Sequence, residues 1–266
     1  MIKRAVSENG LVADLFYEEG RKSKPIIMLG GSEGGRIWSR IKPPVEYLVK
    51  GGYAVFSLAY FKEKGLPNSL EEIPLEYFEK AFSWLASQPE TTADEVAILG
   101  GSKGAEAALL LGSRYPQIKV VVTFSPSSVI WQGIPRKRFD LVNNPKSSWS
   151  CNEEGLPFLP YPRPISTMQL LTLQLRGIHE RALEDESRAE SAAIPVENIN
   201  GAVMLISGNR DALWPSTKMS EQIETRLKKR GFKHPFEHNS IDTNHYGLIR
   251  DRASWRRIFA FLQENY

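Results

Sequence analysis

The residues Gly100-Gly101-Ser102-Lys103-Gly104 have the pattern G-x-S-x-G, and their setting limits the fold more than the pattern does. A short apolar run, Val96-Ala97-Ile98-Leu99, leads into them, and Ala105-Glu106-Ala107-Ala108-Leu109-Leu110-Leu111, a run of strong helix formers, leads out. Such a run before and such a helix after place Ser102 on a sharp strand-to-helix turn. Glycines on either side tolerate a strained backbone and the close approach of neighbouring elements, so the local sequence reads as a nucleophile elbow. A glycine-rich connection with an incidental serine is the bland alternative. The strand, turn and helix falling where the motif requires them favour Ser102 as the candidate nucleophile.

Around the elbow, strands and helices alternate as in a largely parallel sheet covered on both faces. Strands are expected at residues 11–17, 25–29, 53–58, 95–99, 119–124, 202–206 and 235–241, and helices ending at Gly51-Gly52, over 75–85 and over 252–263. A chain of 266 residues with 41% hydrophobic content can devote itself to one such α/β domain, residues 1–266. One region breaks the rhythm: residues 126–195 form an insertion with several prolines, Trp131, Trp149 and a helical candidate over 165–183. Ordinary connections are far shorter, so the insertion is expected to pack over the site as a lid, a solvent-exposed appendage being the other reading.

Composition narrows the class. A net charge of +3 is mild and demands no nucleic-acid partner, and no apolar stretch reaches membrane-spanning length. The N-terminus carries positive charge with no apolar segment after it, unlike a secretory signal, and the single cysteine, Cys151, cannot form an internal disulfide. A soluble cytoplasmic protein is expected.

A serine hydroxyl needs a base to take its proton. Of the four histidines, His245 follows the last expected strand, in Thr243-Asn244-His245-Tyr246-Gly247, and Asp211 follows the strand before it, in Ser207-Gly208-Asn209-Arg210-Asp211. The order nucleophile, acid, histidine at strand ends is that of the α/β-hydrolase fold. His234 and His238 flank or occupy the last strand and His179 sits in the insertion; Asp242 stands in reserve should Asp211 point away. The oxyanion requires two backbone donors: the amide of Lys103, and one from the loop Gly30-Gly31-Ser32-Glu33-Gly34-Gly35, with Ser32 first and Glu33 next. That loop lacks the G-K-[ST] ending of a phosphate-binding P-loop. No cofactor is called for, and the histidines and cysteine offer no metal-ligand cluster.

Further segments make the resemblance specific. These are Leu58-Ala59-Tyr60-Phe61 through Gly65-Leu66-Pro67, Leu75-Glu76-Tyr77-Phe78-Glu79-Lys80-Ala81, Ile194-Pro195-Val196-Glu197, Trp214-Pro215-Ser216 and Asn244-His245-Tyr246. Together with residues 30–35, residues 100–106 and Asp211, they resemble the C-terminal catalytic domain of the type I acyl-CoA thioesterase and bile acid-CoA:amino acid N-acyltransferase family. The resemblance implies an α/β-hydrolase that cleaves an acyl-CoA thioester through an acyl-enzyme, with Ser102, His245 and Asp211 as its triad. Members of that family commonly carry an N-terminal β-sandwich domain, which is not expected within these 266 residues. The family's amino acid transferases use cysteine as nucleophile, so Ser102 favours transfer to water.

Coenzyme A carries phosphates. Lys103, Arg136-Lys137-Arg138, Lys228-Lys229-Arg230 and Arg256-Arg257 are the basic residues that could meet them, or the clusters are solvated faces. Leu170, Leu171, Leu173 and Leu175 could line an acyl pocket or simply pack the insertion. Competing readings are a carboxylesterase or dienelactone-hydrolase-like enzyme with the same triad, an N-acyltransferase, and a non-catalytic binding module.

Overall fold

A sheet buried on both faces must be built from runs of apolar residues rather than from polar-apolar alternation, and the central strands obey this. A computed structural model describes residues 1–92, 94–137, 140–164 and 167–266, with the side chains of residues 167, 170 and 171 left out. The chain opens with a hairpin, β1 (Ile2–Glu8) and β2 (Leu11–Tyr17). β3 (Lys24–Leu29) leads through a 3-10 turn (Ile37–Arg40) and helix α1 (Lys42–Lys50) to β4 (Tyr53–Ala59). A short β5 (Ile73–Pro74) and α2 (Glu76–Ala86) precede β6 (Val96–Gly101), α3 (Lys103–Gly112) and β7 (Ile118–Phe124). The insertion then supplies α4 (Asp140–Asn143), β8 (Trp149–Cys151), β9 (Glu154–Gly155), α5 (Thr167–Thr172), α6 (Arg176–Leu183) and α7 (Glu186–Ser191). β10 (Ala202–Gly208), α8 (Ser216–Lys229), β11 (Phe236–Ile241) and α9 (Arg252–Asn265) complete the chain.

The main sheet runs β1-β2-β4-β3-β6-β7-β10-β11, with β2 antiparallel to both neighbours and all pairings from β4 to β11 parallel. Successive residues of the central strands enter opposite cores, as a period of two requires. Ile27, Leu29, Ile98, Val203 and Leu205 join α2, α3 and α8 on one face; Ile26, Met28, Leu99, Met204 and Ile206 join α1 and α9 on the other. The chain leaves β3 toward β4 on one side and later enters β6 on the other, so the sheet reverses its order of growth between β3 and β6. The carboxyl ends of strands beside such a reversal form the crevice in which open α/β sheets bind ligands.

The seven expected strands are present with ends shifted by up to two residues, and the architecture is the expected α/β sheet with helices on both faces. Several elements go beyond the sequence reading, among them β1, an edge strand studded with charges, and α8, whose apolar stripe is Met219, Ile223 and Leu227 at helical spacing. The single helix expected over 165–183 is two helices, α5 and α6, separated at Leu173. Leu173 has a φ of 55°, which a right-handed helix cannot accommodate, and Ile165 lies outside the described residues.

α3 is buried along its whole length, so its first turn must fit closely behind the sheet. A methyl group on Gly104 would collide with the carbonyl oxygens of Leu29 and Gly30, and one on Gly100 with the carbonyl of Gly104. Gly104→Ala is therefore expected to cost about 3 kcal/mol or more in urea unfolding. Gly177→Ala, where nothing lies within 4 Å of the added carbon, should stay within about 0.5 kcal/mol of the parent. Equal losses at the two positions would contradict the close approach.

Candidate active site

Ser102 follows β6 and caps α3 with φ 56° and ψ −119°, a conformation disfavoured for a residue with a side chain. It is held there by its own amide, which donates to the carbonyl of Phe124 on β7 at 2.8 Å, and by its carbonyl, which accepts the amides of Ala105 and Glu106. Ser102 lines a cavity of about 1300 Å³ at the carboxyl ends of the strands. Gly30, Gly31, Ser32 and Glu33 line the same cavity from the loop after β3, and His245 lines it from the loop after β11.

Asp211 and His245 meet below this cavity. β10 and β11 pair in parallel to Gly208 and Ile241, so the loops that leave them start side by side. His245 Nδ1 and Asp211 Oδ2 are 2.8 Å apart, with Asp211 1% and His245 7% exposed. Asp211 Oδ2 also accepts the Ser216 hydroxyl at 2.8 Å, and its Oδ1 accepts the amides of Leu213 and Trp214. Burial opposes the charge of Asp211, but the bonds from His245, Ser216 and Trp214 outweigh it and hold the carboxyl below its ordinary value. An ionised Asp211 fixes the proton of His245 on Nδ1 and leaves Nε2 as the basic nitrogen. The structure thus brings Ser102 and His245 to one cavity and couples Asp211 to His245. Asp242 instead pairs with Arg210 on an exposed surface. His238 is bonded to Ser207 and Glu224, His234 packs on Phe232, and His179 is buried in the insertion.

The expected oxyanion donors are distributed over the elbow and the loop after β3. Lys103 is the first residue of α3, and the first amides of a helix have no partner within it. A side-chain carbon on Gly31 would stand 3.0 Å from Ser102 Cβ and 2.9 Å from Glu33 Oε2, so this loop lies against the elbow. The amide of Gly31 donates to Glu33 Oε1 at 2.8 Å, Tyr60 donates its hydroxyl to the Gly30 carbonyl, and Lys62 donates to the Ser32 carbonyl. The Glu33 carboxylate beside the elbow is a feature that the G-G-S-E-G-G pattern alone does not reveal.

Lys103 corrects one expectation. Its side chain turns away from any phosphate and into the core, where Nζ lies 2.8 and 3.0 Å from the two oxygens of Glu106. Glu106 Oε1 also accepts the Trp149 indole at 2.9 Å and the Trp131 amide at 3.2 Å. Burial pushes Lys103 down and Glu106 up, while each holds the other toward its charged form. Of the other basic clusters, Lys228 and Arg230 pair with Glu224 and Glu197, Arg256 lines the cavity, and Arg138 lies outside the described residues.

The insertion meets the site at the Asp211 loop. The Arg176 amide donates to the Ala212 carbonyl, and its guanidinium reaches the carbonyls of Asn209 and Asp211. Trp131, Leu159 and Leu183 pack with Trp214 and Met219. Among the described residues, none that lines the main cavity comes from 126–195. Leu173 is exposed, Leu175 is half-buried, and neither lines it; the side chains of Leu170 and Leu171 lie outside the described residues. Instead, Ile37, Ile41, Pro44, Tyr47, Ile249 and Trp255 supply the apolar wall. No three His, Cys, Asp or Glu side chains among the described residues are grouped to hold a metal, and no described helix is long and apolar enough to cross a membrane.

Comparison with known proteins identifies the fold and the family. Over most of their length, solved structures such as a Pyrococcus furiosus esterase (TM-score 0.60, 16% identity, 99% of this chain and 93% of that one) and a dienelactone hydrolase from Anabaena variabilis (TM-score 0.56, 16% identity, 99% and 98%) share the fold. The fold is that of the α/β-hydrolases. Residues 73–243 match the BAAT / acyl-CoA thioester hydrolase C-terminal family, and the chain belongs to it. Mouse relatives include acyl-coenzyme A thioesterase 5, 29% identical over 237 residues, and acyl-coenzyme A amino acid N-acyltransferase 1, 27% identical over 232 residues. Each alignment covers 86% of this chain and 50% of the relative, so the chain spans about half the length of the curated relatives it matches.

His179 packs edge-on against Trp131, Tyr161 and Trp214, and Trp214 in turn against His245. Burial pushes His179 down to about 4 from an ordinary 6.5. A histidine depressed by folding stabilises fully above its unfolded value and loses that contribution as pH falls toward the folded one. Between pH 6.5 and 4 the protein should therefore lose about 3 kcal/mol through this group. His179→Phe should flatten that part of a stability-against-pH curve; an unchanged slope would contradict the assignment.

Proposed function

We propose that this domain hydrolyses acyl-CoA thioesters through an acyl-enzyme formed on Ser102. The observation that carries the reading is a serine on a strained elbow, facing a cavity shared with a histidine whose Nδ1 is bonded to a buried aspartate. His245 Nε2 accepts the Ser102 proton as Oγ attacks the acyl carbonyl, and Asp211 stabilises the imidazolium that forms. The amide of Lys103, with that of Ser32 or Glu33, receives the oxyanion. His245 returns the proton to the departing thiolate, and water, activated by the same nitrogen, releases the acid. Thioester chemistry is favoured by membership of a family that includes acyl-CoA thioesterases. Serine in place of the cysteine expected of the family's amino acid transferases favours water as acceptor. The working unit is the whole α/β domain, residues 1–266, acting without a cofactor on a small-molecule substrate. Its setting is the cytoplasm, consistent with a single free cysteine.

Release of free thiol from acyl-CoAs of increasing chain length, beside p-nitrophenyl esters, tests this reading. Ser102→Ala and His245→Ala should each lower kcat by about 10⁴-fold or more, and Asp211→Asn by a comparable factor. Turnover of esters with no turnover of thioesters would replace the thioesterase reading by an esterase one. Full activity in Ser102→Ala would end both.

A further inference from the structure

Five cationic side chains converge on the cavity that holds Ser102. Arg40 and Lys42 come from the end of the 3-10 turn and the start of α1, and Arg250, Arg252 and Arg256 from the approach to α9 and its first turns. The two segments are some 200 residues apart in sequence but border one opening. Arg252 and Arg256, four residues apart, share a helix face. None of the five is in an ion pair with a described residue, whereas Arg36, Arg176, Arg188, Arg210 and Arg226 elsewhere all are. Asp251, the acid in their midst, accepts from the amide and hydroxyl of Ser254 at the start of α9 and also feels the charge of Arg256. Glu33, the one acid among the residues lining the cavity, is engaged with the Gly31 amide.

Five like charges line one cavity against two nearby carboxylates, Glu33 and Asp251, and the excess of positive charge favours an anion there. A cleft bordered by one sign of charge also concentrates oppositely charged ligands. The same cavity is lined by Ile37, Trp38, Ile41, Pro44 and Trp255, so an apolar wall accompanies the cations and Ser102. The opening therefore fits a molecule with an anionic end, a neutral arm and a reactive group at the arm's far end. Guanidinium forks match phosphate oxygens in geometry, and four of the five cations are arginines.

We infer that Arg40, Lys42, Arg250, Arg252 and Arg256 form a phosphate-recognition rim that takes the thiol half of the substrate, a phosphorylated pantetheine thioester. This assignment rests on the hydrolase reading above and adds to it which side of the site the leaving group occupies. The thiol half lies over α1 and α9, away from the insertion. The described residues of the basic runs at 136–138 and 228–230 do not line the cavity.

The test compares one acyl group carried on coenzyme A, on 4′-phosphopantetheine and on phosphate-free pantetheine, with an acyl-carrier protein as a fourth arm. The parent should favour the coenzyme A thioester over the pantetheine thioester in kcat/KM. The Arg252→Ala, Arg256→Ala double variant should lose roughly tenfold of that preference through KM, two exposed charge contacts being worth about that. Added salt should erode the same preference. Arg257→Ala, exposed beside them but not lining the cavity, should keep it. A loss confined to the carrier-protein arm would transfer the rim to a protein-borne phosphopantetheine; a loss confined to coenzyme A assigns it to the nucleotide phosphates. Equal kcat/KM for the charged and uncharged thioesters in the parent, or equal effects of the variant on both, would overturn the inference. Should no thioester be turned over, the hydrolase reading fails separately, and calorimetric titration of adenosine 3′,5′-bisphosphate into the Ser102→Ala protein still reads the rim. Binding that weakens with the double variant supports it, and no binding overturns it.

Discussion

The contact on which the site depends is the backbone approach of Gly104 to the end of β3. Because Gly104 has no side chain, the first turn of α3 rests directly on the carbonyls of Leu29 and Gly30. This brings the loop that follows β3 against Ser102, so the elbow and the candidate oxyanion loop become one surface. Ser102 is forced to positive φ by the same constraint, since the chain must turn from strand to helix within a single residue. The cost of that backbone is met by packing: α3 is buried at every position, and residues Ala107 to Leu111 belong to the core on one face of the sheet.

A second constraint ties the elbow to the insertion. Lys103 and Glu106 lie one turn apart at the start of α3, both buried, and Glu106 accepts from Trp131 and Trp149 of the insertion. A buried pair of this kind contributes little net stability beside an apolar equivalent, but removing one member strands the other. Its consequence here is geometric. The amide of Lys103 belongs to the residue whose side chain is locked in the pair, so the insertion fixes the start of the helix that carries the candidate oxyanion donor. On the other side, Arg176 and the His179 cluster brace the Asp211 loop. The insertion grips the site at both ends while the cavity wall comes from α1 and α9.

What the sequence revealed, and what it concealed, follows from the range of the interactions. The elbow is written in five consecutive residues, and Asp211 and His245 stand out as candidates because each follows a strand in a fixed order. Glu106 is invisible by pattern: it sits on a helix of small and apolar residues, and its partners Trp131 and Trp149 are brought to it only by the folded insertion. Ser216, which donates to Asp211, is in the Trp214-Pro215-Ser216 segment, but only the turn that follows β10 gives it a role. Searching for runs of charge picks out Arg256 and overlooks Arg40, Lys42, Arg250 and Arg252, since these meet across two distant segments. The break between α5 and α6 escapes a helical-periodicity reading because Leu173 is a good helix former in an unfavourable backbone state.

The account stands on Ser102 as the atom that becomes acylated. Rapid-quench mixing of the protein with an acyl-CoA, followed by mass spectrometry of its peptides, would look for that intermediate directly. A single acyl adduct on the peptide containing Ser102, formed and lost within one turnover and absent from Ser102→Ala, is the predicted result. Turnover that proceeds with no adduct on Ser102, or with the adduct on another residue such as Cys151, would contradict it.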